Sequence, residues 1–326
     1  MDIVSMIESP KVSESTQSPN KDQDYYLQGL SLGREGRHEE ALVAFSEALS
    51  SDPNRPLAWI GKGFALGKLG RYEEEIECCE KAIALDPNCV DAWIFMGFAF
   101  GKLDRFEDKV KCCEQALKIN PESAVAWNNK GVALGMLGQF EEEIRCCDRA
   151  LKLRPRYLSA WVNRGYAFGK LKWYEEEIIC YDRALKIYPY YFSALVNKGI
   201  ALIHLKRYRE AVQVLDRALS IEPQNAIALY RKGLSLSLHG NHEEAIPCLE
   251  HALRINPSIA DAWVVMSNSC FMAGRLEESA RAFDKAYYLD VKDARTGMVK
   301  GLFLLKTGKF DEAIRSFSNV WGILLR

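Results

Sequence analysis

Apolar and polar positions along this chain alternate with a helical rhythm in short paired blocks. Residues 57–69 carry apolar side chains at Leu57, Ile60, Phe64 and Leu66, a spacing that predicts a helix rather than a strand. Gly70 ends the block, since glycine accepts the left-handed backbone of a helix terminus. Tyr72 opens a second block, with Glu73, Glu74 and Glu75 at the positive N-terminal end of the helix it predicts. That block continues through Ile76, Cys79, Ala82 and Ile83 and stops before Pro87. The predicted unit is therefore a pair of antiparallel helices, each of about 13 residues and ~20 Å long.

This unit recurs. Prolines 53, 87, 121, 155, 189, 223 and 257 stand at one constant interval, and glycines 29, 63, 97, 131, 165, 199 and 233 keep the same interval. Within the unit stand Trp59, Gly63, Leu66, Tyr72, Ala82 and Pro87. The set returns as Trp93, Gly97, Phe100, Phe106, Ala116 and Pro121, then from Trp127 to Pro155 and from Trp161 to Pro189. Leu195 and Leu229 replace the tryptophan in the next two units. The pattern resembles the tetratricopeptide (TPR) repeat. The resemblance implies an all-α fold, an α-solenoid wound as a right-handed superhelix of about nine TPR helix-turn-helix repeats. The repeats start near 22, 56, 90, 124, 158, 192, 226, 260 and 294, the last one degenerate. One pair cannot cover its own apolar face, so neighbouring pairs must stack and share a core.

Residues 1–21, rich in Ser, Pro, Lys, Glu and Gln, are predicted to be a disordered leader ahead of a 22–326 solenoid. Ile3, Val4, Met6 and Ile7 in that leader are candidates for a short docking motif. The chain closes on an apolar run with Trp321, Ile323, Leu324 and Leu325, where a solenoid normally has a polar cap. Residues 294–326 are accordingly a candidate surface for homo-oligomer formation. Pro247 lies several residues into a predicted helix, so a bend or irregularity is expected near Glu243–Pro247.

Composition narrows the function. The net charge is −1, from 43 basic and 44 acidic residues, and gives no basic stripe for nucleic acid. No apolar run approaches the ~20 residues of a membrane span, and Met1–Glu8 does not read as a signal peptide. Ten cysteines without a secretion signal point to a reducing compartment and a cytoplasmic protein.

Candidate chemistry is sparse. Cys78–Cys79, Cys112–Cys113 and Cys146–Cys147 recur at the repeat period, but neighbours on a helix diverge by ~100° and cannot close a zinc tetrahedron. Cys79, Cys113 and Cys147 share a column with Phe45, Tyr181 and Phe283 and read as core. His239, His242, Cys248 and His251 cluster in sequence, with no carboxylate placed to orient them as ligands. No catalytic set, phosphate loop or metal site stands out, so no enzyme activity and no cofactor are expected.

Two columns remain. Glu75, Lys109, Glu143 and Glu177 occupy a position where the family normally has alanine, as at Ala41, Ala211, Ala245 and Ala313. Opposite them, on the first helix of the same pair, stand Lys62, Met96, Lys130 and Arg164, which predicts ion pairs Lys62–Glu75, Lys130–Glu143 and Arg164–Glu177 within single repeats. In this family the first helix of each pair typically lines a concave groove that holds a partner's peptide. Asn129, Asn163, Asn197 and Arg231 fall in one column there, and an amide row can grip an extended backbone. The row resembles the asparagine ladder of the O-linked N-acetylglucosamine transferase repeats. The carboxylate clamp of chaperone-binding TPR proteins is not matched, with Val162 and Tyr166 in place of its polar residues. Ile60, Phe64, Ile94 and Phe98 are expected to make the earlier half of the groove apolar. The functional expectation is a non-catalytic scaffold binding a protein or peptide partner. The alternatives are self-assembly through the C-terminal end and a regulatory subunit that binds a small ligand.

Overall fold

A computed structural model describes residues 21–289 together with residues 301, 304, 308, 309 and 312. The leader motif and the proposed assembly surface at 294–326 thus lie outside the described residues, apart from those five positions. The chain divides into two compact units, residues 1–171 and 172–326.

The first unit contains α1 (Lys21–Arg34), α2 (His38–Ser51), α3 (Pro56–Lys68), α4 (Tyr72–Leu85), α5 (Val90–Lys102), α6 (Phe106–Ile119), α7 (Ala124–Met136), α8 (Phe140–Leu153) and α9 (Leu158–Lys170). The second contains α10 (Tyr174–Ile187), α11 (Phe192–His204), α12 (Tyr208–Ile221), α13 (Ala226–His239), α14 (His242–Ile255), α15 (Ala260–Met272) and α16 (Leu276–Leu289). In each unit every helix packs on the next in sequence. First helices of successive repeats also touch: α1, α3, α5, α7 and α9 in the first unit, α11, α13 and α15 in the second. One face of each unit is thereby built from first helices.

The proline ruler and the tryptophans that follow it have one local cause. The indole N–H of Trp59 donates to the Pro53 carbonyl at 2.8 Å, and Trp127, Trp161 and Trp263 do the same to Pro121, Pro155 and Pro257 at 2.8–2.9 Å. Each bond ties the start of a first helix to the preceding turn. The side chains of Asp52, Asp86, Asn120 and Asn256 accept from the backbone N–H two residues on, fixing the same turns. Between the helices of a pair, Gly70 adopts φ +79° while Arg71 N–H bonds the Leu66 carbonyl at 2.9 Å and Gly70 N–H bonds the Gly67 carbonyl at 3.1 Å, a Schellman ending.

The helices of a pair approach closely where the first carries glycine. A Cβ on Gly29 would come within 2.8 Å of the Phe45 ring, on Gly199 within 2.8 Å of Leu215, and on Gly233 within 2.7 Å of Leu249. A second glycine column explains the charged seam. Gly67 faces the Glu75 carboxyl, Gly101 the Lys109 stem and Gly135 the Glu143 carboxyl, and a Cβ at any of them would collide with that side chain. Opposite Ala211 and Ala245 the first helix carries the larger Ile203 and Ser237, while opposite Ala41 it keeps Gly33 with open space around it.

This geometry corrects the expected ion pairs. Lys130 bonds Glu114 at 2.8 Å rather than Glu143. Lys62 lies over the Trp59 ring at 5.7 Å and makes no ion pair among the described residues. Arg164 pairs with Asp148 at 2.7 Å within the first unit, and Glu177 belongs to the second, beside Tyr181. The second unit repeats the true register, with Lys198 to Asp182 at 2.5 Å and Lys232 to Asp216 at 2.6 Å. Lys130, Lys198 and Lys232 therefore reach back to the second helix of the preceding repeat, not forward to the second helix of their own, and Arg164 reaches back in the same way. The carboxylates of these bridges are half-exposed, which limits each bridge to under ~1 kcal/mol.

Pro247 does not interrupt its helix. Helix α14 runs unbroken from His242 to Ile255 through it. The proline stands in the second turn, so the carbonyl that loses its partner, that of Glu243, lies at the helix start.

The glycine–carboxyl fit generates a prediction. Gly135→Ala should destabilise the chain by ~2–4 kcal/mol, because the new methyl displaces a buried side chain. Gly135→Ala/Glu143→Ala should recover that loss and add up to ~1 kcal/mol from helix propensity. Chemical denaturation of the four proteins checks this. Additive losses would show that the two positions do not share one space.

Candidate functional site

In the first unit the α3–α4 pair and α5 enclose a cavity of about 290 Å³ lined by Phe64, Gly67, Lys68, Tyr72, Glu75, Phe95, Phe98 and Lys102. Helical spacing places Phe64, Gly67 and Lys68 on one face of α3, and Phe95, Phe98 and Lys102 on the facing side of α5. Phe64 and Phe95 meet edge to face, ring centres 5.8 Å apart. Lys68 Nζ stands 5.3 Å from the centre of the Phe64 ring, and the buried Lys109 places its Nζ 5.7 Å from that of Phe98. Neither Lys68 nor Lys102 forms an ion pair among the described residues. The floor is the Glu75 carboxyl, which reaches the cavity because Gly67 has no side chain.

Burial pushes Glu75 up to about 8, only partly opposed by Lys68. Glu143 is likewise pushed up to about 8 by burial, and its Oε2 has no hydrogen-bond partner among the described residues. In the second unit burial raises Glu177 to about 7, partly opposed by Tyr181. Lys109 is held below the usual lysine value by burial. At neutral pH Glu75 and Glu143 are therefore neutral acids.

The expected groove residues divide by burial. Ile60 and Ile94, 2% and 3% exposed, belong to the core and do not face a partner. They sit one position before Gly61 and Phe95, and ~100° of helix turns them inward. Phe64 and Phe98 line the cavity. Tyr166 is exposed, with Lys170 Nζ 5.0 Å above its ring. Asn129 is only 5% exposed, and the Asn163 amide donates to Asn128 Oδ1 at 3.0 Å. In the second unit Asn197 neighbours the buried hydroxyl of Tyr181. There too Arg231 lies over the Tyr230 ring at 5.0 Å, near His204, whose own ring stacks on Tyr174 at 4.5 Å. The column is thus divided between the two units, and in the first unit the Asn163 amide is engaged with Asn128 while Asn129 is buried. Lys68, Lys102 and Tyr72 were not among the expected site residues, and Glu75 was expected only as the ion-pair partner of Lys62. The signal that marks the lysines is their recurrence, at the repeat period, in the last turn of successive first helices.

The remaining polar candidates are structural. All ten cysteines are free. Burial pushes Cys78 to about 11 and Cys112 and Cys113 to about 12, so these thiols stay protonated. Arg209 Nε donates to His239 Nε2 at 2.9 Å, and His251 meets Gln224 at 3.1 Å. Among the described residues no three His, Cys, Asp or Glu side chains converge on a metal position. None of the described helices is long and apolar enough to cross a membrane.

Comparison with known proteins points one way. Tetratricopeptide repeat family models match residues 25–55, 56–89, 90–123, 112–145, 158–191, 190–258 and 230–295. Among solved structures, PilW, a widely conserved type IV pilus biogenesis factor, superposes with a TM-score of 0.60 at 17% identity, covering 65% of this chain and 98% of its own. PilF of Pseudomonas aeruginosa does so with 0.56 at 20% identity, covering 62% and 92%. At these identities the likeness is one of fold. No curated protein sequence matches the chain.

The buried carboxyls give a pH prediction. Glu143 titrates near its ordinary 4.5 when unfolded and near 8 when folded. Its contribution is therefore fully present below pH ~4.5 and is lost as pH rises toward ~8. Glu143→Gln keeps the neutral shape at every pH. The stability gained by that variant over wild type should grow from near zero at pH 4 to on the order of 2–4 kcal/mol at pH 8. Urea unfolding across that range measures it, and a pH-independent difference would refute the buried neutral acid.

Proposed function

The chain belongs to the tetratricopeptide repeat family, and from that premise we propose that it is a non-catalytic scaffold holding a peptide segment of a partner protein on its first-helix face. The observation that carries this reading is the aromatic cavity between α3 and α5 with two lysines at its rim. Its walls offer a dry seat for a large apolar side chain, the usual anchor of a bound peptide. Lys68 and Lys102 complement acidic residues flanking that anchor. Glu75, neutral at the floor, adds a hydrogen-bond donor rather than an opposing charge. Ten free thiols suit a reducing, cytoplasmic compartment. Within the first unit Tyr166 extends the proposed contacts along the first helices as a secondary contributor. Asn197 and Arg231 are proposed as contact residues of the second unit by itself. The engaged amides of Asn128 and Asn163 and the buried Asn129 contribute through the shape of the wall.

Selection of displayed linear peptides against the full chain tests the proposal. Enriched sequences should share one large apolar residue beside Asp or Glu. Lys68→Glu/Lys102→Glu should weaken their binding at least tenfold with the melting temperature unchanged. Phe98→Ala should weaken it as far while also lowering the melting temperature, because its ring packs on the core beside Lys109. No enrichment, or binding indifferent to both variants, would overturn the assignment of this cavity.

A further inference from the structure

The cavity of the first unit specifies its occupant by exclusion. Phe64, Phe95, Phe98 and Tyr72 call for an apolar group. Lys68 and Lys102 carry no ion pair among the described residues, and the nearby Lys109 beneath Phe98 is also a cation-forming group. His38, edge-on to Phe64 at 6.2 Å, is held below its usual value by burial and Lys68 and adds no acid. Glu75 is the only acid in the lining. A fitting ligand therefore brings apolar side chains with carboxylates on either side of them.

Outside the described residues the sequence holds one short run of that composition. Asp2-Ile3-Val4-Ser5-Met6-Ile7-Glu8 sets four apolar side chains between two acids. The apolar run at the other end, Trp321–Leu325, contains no acidic residue and is followed by Arg326. The tether is long enough. Twelve residues separate Glu8 from Lys21, where α1 begins, and they span up to ~40 Å when extended. Successive helix pairs are spaced by about one helix diameter, ~10 Å. The cavity lies near the last turns of α3 and α5, about one helix length (~20 Å) along the axis from the level of Lys21, so the span to be bridged is ~25–30 Å, within the reach of the tether. A tether of that reach holds its motif at an effective concentration of order millimolar.

We propose that residues 2–8 dock in cis in the Phe64–Phe98 cavity, with Ile3 and Ile7 against the aromatic wall and Asp2 and Glu8 at Lys68 and Lys102. The leader then competes with the partner peptide, and the chain holds its own site closed until a better ligand displaces it. This rests on the reading of the cavity as a peptide site.

The test keeps the full chain. A fluorescent peptide of residues 1–10 is titrated into wild type and into Ile3→Asp/Ile7→Asp, whose leader can no longer dock. The leader variant should bind it saturably, and wild type at least tenfold more weakly. Adding Lys68→Gln/Lys102→Gln to the leader variant should abolish binding while circular dichroism and melting temperature stay unchanged. Raising the salt concentration should weaken binding by screening the same contacts. Equal affinity of wild type and leader variant, or no saturable binding to the leader variant, would overturn cis docking. If library-selected peptides still bind the leader variant in that second case, the peptide site stands and only its cis occupant falls. If they too fail to bind, both readings fall.

Discussion

Everything in this chain depends on how closely the two helices of a repeat approach. The approach is set by side chains that are missing. At Gly29, Gly199 and Gly233 the first helix makes room for the Phe45, Leu215 and Leu249 side chains. At Gly67, Gly101 and Gly135 it makes room for Glu75, Lys109 and Glu143. The second set is a trade of volume. Where the second helix carries a long side chain, the first gives up its own; opposite Ala211 and Ala245 it fills the gap with Ile203 and Ser237, while opposite Ala41 it leaves Gly33. A charged group held in such a seam loses solvent on every side. That loss, with no matching cation, keeps Glu143 neutral. The same seam delivers the Glu75 carboxyl past Gly67 into the cavity wall. The chemistry of the candidate site is thus a consequence of helix packing.

The regular features were legible because each has a strictly local cause. A proline carbonyl and an indole N–H six residues on must keep their spacing, since the bond between them closes the turn. The helix boundaries follow from the turns, and α3 and α4 begin and end within about a residue of the apolar blocks that predicted them. Where Leu195 stands for tryptophan the repeat persists without that bond, because Leu195 is fully buried and contributes through packing.

Charge partners were harder to read, for a geometric reason. Lys130 has one acid ahead of it in the chain, Glu143 of its own repeat, and another behind it, Glu114 of the preceding repeat. Sequence spacing does not say which helix face looks into the seam and which looks across to the preceding repeat. A long cation on the latter face takes the half-exposed Glu114, which keeps much of its hydration, over the buried Glu143. The candidate site was blurred in the same way. The repeat period assigns residues to columns, but adjacent columns are ~100° apart on the helix. Ile94 therefore falls into the core while Phe95, its neighbour, lines the cavity. Asn163 likewise donates to Asn128, one column away from Asn129.

Separating fold columns from display columns lets a repeat scaffold carry a specific site. The columns that set the helix approach hold glycine, alanine and buried cysteine, and they tolerate little change. Lys68 and Lys102 stand in the last turn of their helices, outside those columns, and their side chains can be altered without disturbing the close contacts. Glu75 is the exception, because it belongs to both. Its neutral form is stabilised by the seam and its carboxyl faces the cavity. A ligand that brought a second acid to the floor would meet a hydrogen-bond donor at neutral pH and a repelling carboxylate once Glu75 ionised. A ligand acid held only by the rim lysines would be far less sensitive to that ionisation. The depth at which a partner places its acid therefore decides how strongly its binding is coupled to the proton on Glu75.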